Sequence, residues 1–221
     1  MGKGKTIKLL VLIFLLITFG FLVYQVQLKK VTKKSEESYI MSNTLENKKI
    51  AMVIAFRDFR DEEYFTPKAI LEKAKAKIIT VSNKSGTAIG ADGGDVEVDL
   101  LLENLNPADF DAVVFIGGPG CLNNLDNEES YRIIKETVSQ NKILASICIS
   151  PIILAKAGVL KGKKATVWSS PMDKSPVKIL EENGAIYQDE SVVVDGKIIT
   201  GNGPGAAKEF GEAIVKVLTG K

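Results

Sequence analysis

Hydrophobic and polar positions divide the chain into three stretches of different pattern. Residues 9–26 (LLVLIFLLITFGFLVYQV) carry no charge, and only Thr18, Tyr24 and Gln25 interrupt them. At 1.5 Å rise, about 18 residues cover roughly 27 Å, close to the hydrocarbon thickness of a bilayer. The run is longer than a signal-peptide core and ends in VYQVQLKK, with no small-x-small cleavage site. It therefore predicts one uncleaved transmembrane helix, preceded by a short basic tail at residues 1–8. Residues 27–48 are polar, have almost no apolar periodicity and read as a tether. Lys3, Lys5 and Lys8 before the helix nearly balance Lys29, Lys30, Lys33 and Lys34 after it. A very short leading tail usually stays cytoplasmic, which favours an extracytoplasmic domain on a single-pass membrane protein.

From Lys49 onward, short β-branched runs alternate with helical patterns. Strands are predicted at 50–55 (IAMVIA), 77–82 (KIITVS), 111–117 (DAVVFIG), 142–147 (KILASI) and 165–168 (ATVW). The alternating segment 96–99 (VEVD) reads as a short extension of the same sheet. Helices are predicted at 62–75, 127–140, 151–158, 175–183 and 205–218, two of them stopping at Gly158 and Gly184. SVVVDGKIIT at 191–200 is a hairpin turning on Asp195-Gly196. The continuous apolar runs are those of strands buried on both faces. Residues 49–221 are therefore expected to form one α/β domain, a mostly parallel, doubly wound sheet sandwiched by helices.

Composition narrows the chemistry more than the fold. With 29 basic and 27 acidic residues and a net charge of +2, there is no field for nucleic acid. Two cysteines are too few for a disulfide framework or a structural zinc site, and the chain contains no histidine. The usual general base and the commonest metal ligand are thus both missing. No Ser-His-Asp or Cys-His triad can form within one chain, and no metal or cofactor is expected.

Ligands and nucleophiles in such sheets sit at the carboxyl ends of strands. At one such end, Ser146-Ile147-Cys148-Ile149-Ser150-Pro151 takes a strand into Cys148 and starts a helix just after it. That is the setting of a nucleophile elbow, where a helix N-terminus lowers a thiol's pKa. A small buried hydrophobe is the competing reading of Cys148. At another, Gly117-Gly118-Pro119-Gly120 follows DAVVFI; it lacks the spacing of a dinucleotide or Walker loop and is either a tight turn or an anion cradle. In the third, Arg57–Tyr64, Asp61 or Glu62 could cap the following helix, or a carboxylate could reach the Cys148 elbow.

Together these stretches resemble the ThiJ/PfpI superfamily from about Lys49 to the C-terminus. The carrying motifs are DEEYFTP at 61–67, AVVFIGGPG at 112–120, ASICxxP at 145–151, AGVLKGKK at 157–164 and GNGPGAAKEF at 201–210. The resemblance implies a flavodoxin-like, class I glutamine-amidotransferase-like fold. It also implies that Glu63 contacts Cys148, and that backbone N–H groups of Gly117-Gly118 and Ile149 form an oxyanion hole. It further implies a homodimer or larger homo-oligomer. Family histidines would fall at Ile149 and Trp168, and Ser150 stands where a glycine is usual. A protease-type mechanism is therefore not expected, and Cys148 and Glu63 are left as the working pair. Cys121, just past the glycine turn, is a candidate redox partner of Cys148.

Three functions follow from these readings. The first is a membrane-anchored glyoxalase- or deglycase-like enzyme using Cys148 on small reactive carbonyls or on a carbonyl-modified protein, in stress protection. The second is a redox sensor in which Cys148 becomes a sulfinate. The third is a chaperone-like binding module whose site has decayed.

Overall fold

Alternate residues of the central strand belong to two different cores, and this places helices on both faces of the sheet. A computed structural model describes residues 44–220 and Gln27. The predicted tail, the membrane helix and residues 28–43 of the tether lie outside the described residues. Among the described residues, no helix is long and apolar enough to cross a membrane.

In chain order the elements are β1 (Lys49–Ile54), β2 (Arg57–Phe59), α1 (Asp61–Lys73), β3 (Lys77–Ser82), β4 (Thr87–Gly90), β5 (Asp95–Glu97), β6 (Leu100–Leu101) and β7 (Ala112–Phe115). There follow α2 (Cys121–Leu125), α3 (Glu128–Ser139), β8 (Ile143–Ile147), α4 (Pro151–Lys156), β9 (Lys164–Ala165), α5 (Ser175–Glu182), β10 (Ile186–Tyr187), β11 (Val192–Asp195), β12 (Ile198–Gly201) and α6 (Ala207–Leu218). The main sheet has the order β11-β12-β8-β7-β1-β3-β6. Its pairings are parallel except for the β11–β12 hairpin, where Gly196 adopts φ +64° in the Asp195-Gly196 turn. Ala51 and Val53 pack with Phe115, Leu144, Ile133 and Ile153 on one face. Ile50, Met52 and Ile54 pack with Tyr64, Leu71, Phe210 and Ile214 on the other. Strand order reverses at β1, whose neighbours are β3 on one side and β7 on the other. In open α/β sheets ligands are held at such a point, beyond the carboxyl ends of the strands.

Three expectations need correction. Segment 96–99 does not extend the main sheet: β5 runs antiparallel to β4, and with β2 they form a separate three-stranded sheet. The acidic positions of β5, Asp95 and Glu97, are exposed, as an outlying hairpin permits and a buried parallel strand does not. Of segment 165–168 only Ala165 lies in a strand, the two-residue β9, paired with β10 in a two-stranded parallel sheet. The segment's later backbone donors go elsewhere, Thr166 N–H to Thr200 Oγ1 and Trp168 N–H to the Cys148 carbonyl. The polar stretch assigned as tether also reaches too far. The folded unit begins at Thr44, and Leu45 is buried with its N–H on the Ala74 carbonyl at 2.6 Å.

Candidate active site

β8 ends at Ile147, and the chain then turns sharply through Cys148, which adopts φ +67°. A non-glycine residue there costs about 1–3 kcal/mol and persists only when its surroundings hold it. Here they do: Cys148 N–H donates to the Gly201 carbonyl and its own carbonyl accepts from Trp168 N–H, both at 2.8 Å. The position where a family histidine would stand is thus tied to the nucleophile candidate through its backbone. Pro151 opens the six-residue α4 directly after the turn.

Glu63 comes from the first turn of α1 and has no exposed surface. Neither carboxylate oxygen reaches a partner in hydrogen-bonding geometry. Burial pushes its carboxyl up to about 7, against smaller downward effects of the Cys148 thiol, the Arg60 guanidinium and the Gly117 backbone. Cys148 adjoins Glu63 beside Gly117. Its thiol is pushed up rather than down, first by burial and then by the charge of Glu63; backbone N–H groups of Gly118 and Ile149 favour the thiolate. The expected lowering by a helix N-terminus is overridden by burial and the neighbouring carboxylate. The thiol favours an ionised Glu63, whereas the ionised carboxylate opposes a thiolate, so the first negative charge of the pair falls on Glu63.

The glycine turn is built around this pair. A Cβ on Gly117 would stand 2.6 Å from Cys148 Cβ and 2.8 Å from Glu63 Oε2. Gly118 has φ +113°, and a Cβ there would meet Arg60 N at 2.4 Å and Asp58 O at 2.5 Å. No side chain fits between the turn and the β1–α1 connection, which Arg60 N–H pins to the Gly117 carbonyl at 3.1 Å. The Gly117 backbone favours an ionised Glu63, while the N–H groups of Gly118 and Ile149 favour a thiolate at Cys148, so the three backbone groups act on different members of the pair.

Cys121 begins α2, fully buried, with its N–H on the Gly118 carbonyl at 3.0 Å. Burial first, then the nearby Cys148 and Glu63, hold its thiol well above the usual range. Both cysteines are free thiols. Cys148 keeps 9% of its surface and Cys121 none, so a reagent in solution reaches only the former. Asp61 does not cap α1. Its carboxylate accepts from Asp92 N–H at 2.8 Å and Gly94 N–H at 2.6 Å, holding the β4–β5 turn beside Arg60, which is itself paired with Asp92. Among the described residues, no group of three or more Cys, Asp or Glu side chains is placed to hold a metal.

Sequence reasoning passed over the buried hydroxyl pair Ser146 and Ser150, whose oxygens are 2.7 Å apart. Their four-residue spacing across the elbow was the only trace of it.

The DJ-1/PfpI family profile matches residues 48–217. An uncharacterised protein of Methanocaldococcus jannaschii is 41% identical over 175 residues, 79% of this chain and 84% of that protein. A deglycase of Pyrococcus abyssi is 33% identical over 76% of this chain and 98% of its own length. The crystal structure of a ThiJ/PfpI domain protein from Brachyspira murdochii superposes with a TM-score of 0.74 at 34% identity, covering 80% of this chain and 99% of that one. The sheet order and helix placement are those of the flavodoxin-like α/β fold of these proteins.

Proposed function

The chain belongs to the DJ-1/PfpI family, and from that premise we propose that it is a deglycase-type enzyme of stress protection, acting on small reactive carbonyls or their adducts through Cys148 and Glu63. The observation that carries the proposal is the burial of Glu63, without a hydrogen-bond partner, beside a cysteine in a left-handed turn. A carboxyl pushed up to about 7 retains much of its proton near neutrality and can act as an acid.

In this reading ionised Glu63 takes the proton of the Cys148 thiol as the sulfur adds to the aldehyde carbon of a 2-oxoaldehyde. A C–S bond forms, the carbonyl π pair moves onto oxygen, and Glu63 gives that oxygen its proton. The products of the step are a thiohemiacetal and an ionised Glu63; nothing is oxidised or reduced. The Gly118 and Ile149 N–H groups stabilise the charge on sulfur before addition and on oxygen during it. The step needs no imidazole, which the chain lacks, and peptidase activity is not part of the proposal.

Lactate formation from methylglyoxal tests it. Wild type is expected to turn over, Cys148→Ala to fall to background, and Glu63→Gln to lose about tenfold or more. No lactate from purified, folded wild type would overturn the proposal.

We propose further that residues 9–26 anchor the domain as a single pass, supported by the charge-free run itself. Full-length protein should stay in the membrane pellet after alkaline carbonate, and its release would count against anchoring. Protease added to intact cells should remove the domain if it is extracytoplasmic.

A further inference from the structure

We infer that Ser150 is a positioning residue, whose buried hydroxyl ties the end of β8 to the end of β7 and so sets where the Cys148 sulfur stands relative to the Gly117-Gly118 turn. The inference rests on Cys148 being the reactive centre. It concerns a residue outside the proposed chemistry.

Ser150 Oγ accepts from Ile147 N–H at 3.1 Å. It lies 2.7 Å from the Ile147 carbonyl and 2.9 Å from the Phe115 carbonyl, either of which can take its proton. Ser146 Oγ, 2.7 Å away, completes its surroundings. A hydroxyl has one proton and two acceptor sites, and this set of neighbours can use all three. Both serines are fully buried, so water cannot substitute for any of these bonds.

The partners lie where the site is made. Ile147 immediately precedes Cys148, and Phe115 ends β7 just before Ile116 and Gly117. One side chain therefore bridges the two backbone segments that present the sulfur and the glycine turn. Cys148 is held in its left-handed conformation from the far side by Gly201 and Trp168; Ser150 closes the near side. Without the hydroxyl, the turn can relax toward an ordinary φ and move Sγ away from the Gly118 and Ile149 N–H groups.

The test is the pH profile of Cys148 alkylation by iodoacetamide, followed by intact mass on the full chain, with the unfolding midpoint recorded alongside. Ser150→Ala is expected to move the profile upward by about one unit, a tenfold fall in rate at neutral pH. Ser150→Thr, which keeps the hydroxyl, is expected to restore the wild-type profile. A folded Ser150→Ala protein whose profile superimposes on wild type overturns the inference, because a merely structural role would move only the unfolding midpoint. If Ser150→Ala does not fold, Ser146→Ala decides. It removes one partner and should shift the profile the same way by a smaller amount; an unshifted profile overturns the inference. Alkylation needs no carbonyl turnover. A shifted profile in a protein that makes no lactate would support Ser150 and reject the deglycase reading.

Discussion

Glu63 and Cys148 meet beside Gly117, at a point where a single added Cβ would lie 2.8 Å from one side chain and 2.6 Å from the other. Their apposition needs three chain segments to converge: the start of α1, the turn after β7 and the elbow after β8. Their coupled ionisation and the missing side chain beside them make the following outcomes expected.

Gly117→Ala should disrupt the pair directly. The methyl group can enter only by displacing Cys148 or Glu63, and such overpacking costs about 1–3 kcal/mol. A lowered unfolding midpoint and at least a roughly tenfold slower iodoacetamide reaction at Cys148 are expected. Wild-type alkylation would show that the close approach is not restrictive.

Glu63 should make the domain less stable as pH rises. Its folded pKa is raised from 4.5 to about 7 by burial, so between those values the native state binds more protons than the unfolded chain. Stabilisation is full below the unfolded pKa and is lost as pH climbs through the folded one, by on the order of 3 kcal/mol in total. Urea unfolding across this window should show the decline, and Glu63→Gln should flatten it. An equal slope in both proteins would show that Glu63 titrates normally.

Reactivity and turnover should separate in Glu63→Gln. Burial and the carboxylate charge both hold the Cys148 thiol protonated, and the amide removes the second effect. Alkylation of Cys148 should therefore become faster at neutral pH, while lactate formation falls because the proton donor is gone. Loss of both together would favour simple disruption of the site.

Cys121 should behave as a buried thiol. Intact mass after brief iodoacetamide treatment should show one adduct on native protein, at Cys148, and two in urea. Native labelling of Cys121 would mean that the cover over α2 opens easily.

Leu45→Ala should cost about 2–4 kcal/mol despite its place in a polar stretch, because its side chain is 1% exposed. A fragment starting at Lys49 should melt lower than one starting at Thr44. Equal midpoints would return residues 44–48 to the tether.

Periodicity made the main sheet legible. Strands 50–55, 77–82, 111–117 and 142–147 reappear as β1, β3, β7 and β8, because continuous apolar runs can be accommodated only between two helical layers. The hairpin at Asp195-Gly196 was equally clear, since its turn chemistry is local. The small sheets were not: two-residue strands such as β9 and β10 carry no periodicity, and their partners are set by distant backbone groups. Leu45 gave no signal either, since one apolar residue among polar ones has no period. Asp61 shows the limit for caps, because its position suits capping while its carboxylate is taken by the amides of Asp92 and Gly94, about 30 residues on.

The sequence by itself determined the kind of chemistry open to this protein. It placed a cysteine at a strand-to-helix elbow, put glycines at the end of the preceding strand and withheld every histidine. Tertiary structure decided what those residues can do. The proton affinity of Glu63 comes from burial by segments far away in the chain, and the stance of Cys148 comes from Gly201, Trp168 and Ser150 together. Residue types and turns are local properties that one segment can declare. Desolvation and the spacing between strand ends are set by everything packed around them, and only the folded chain fixes these.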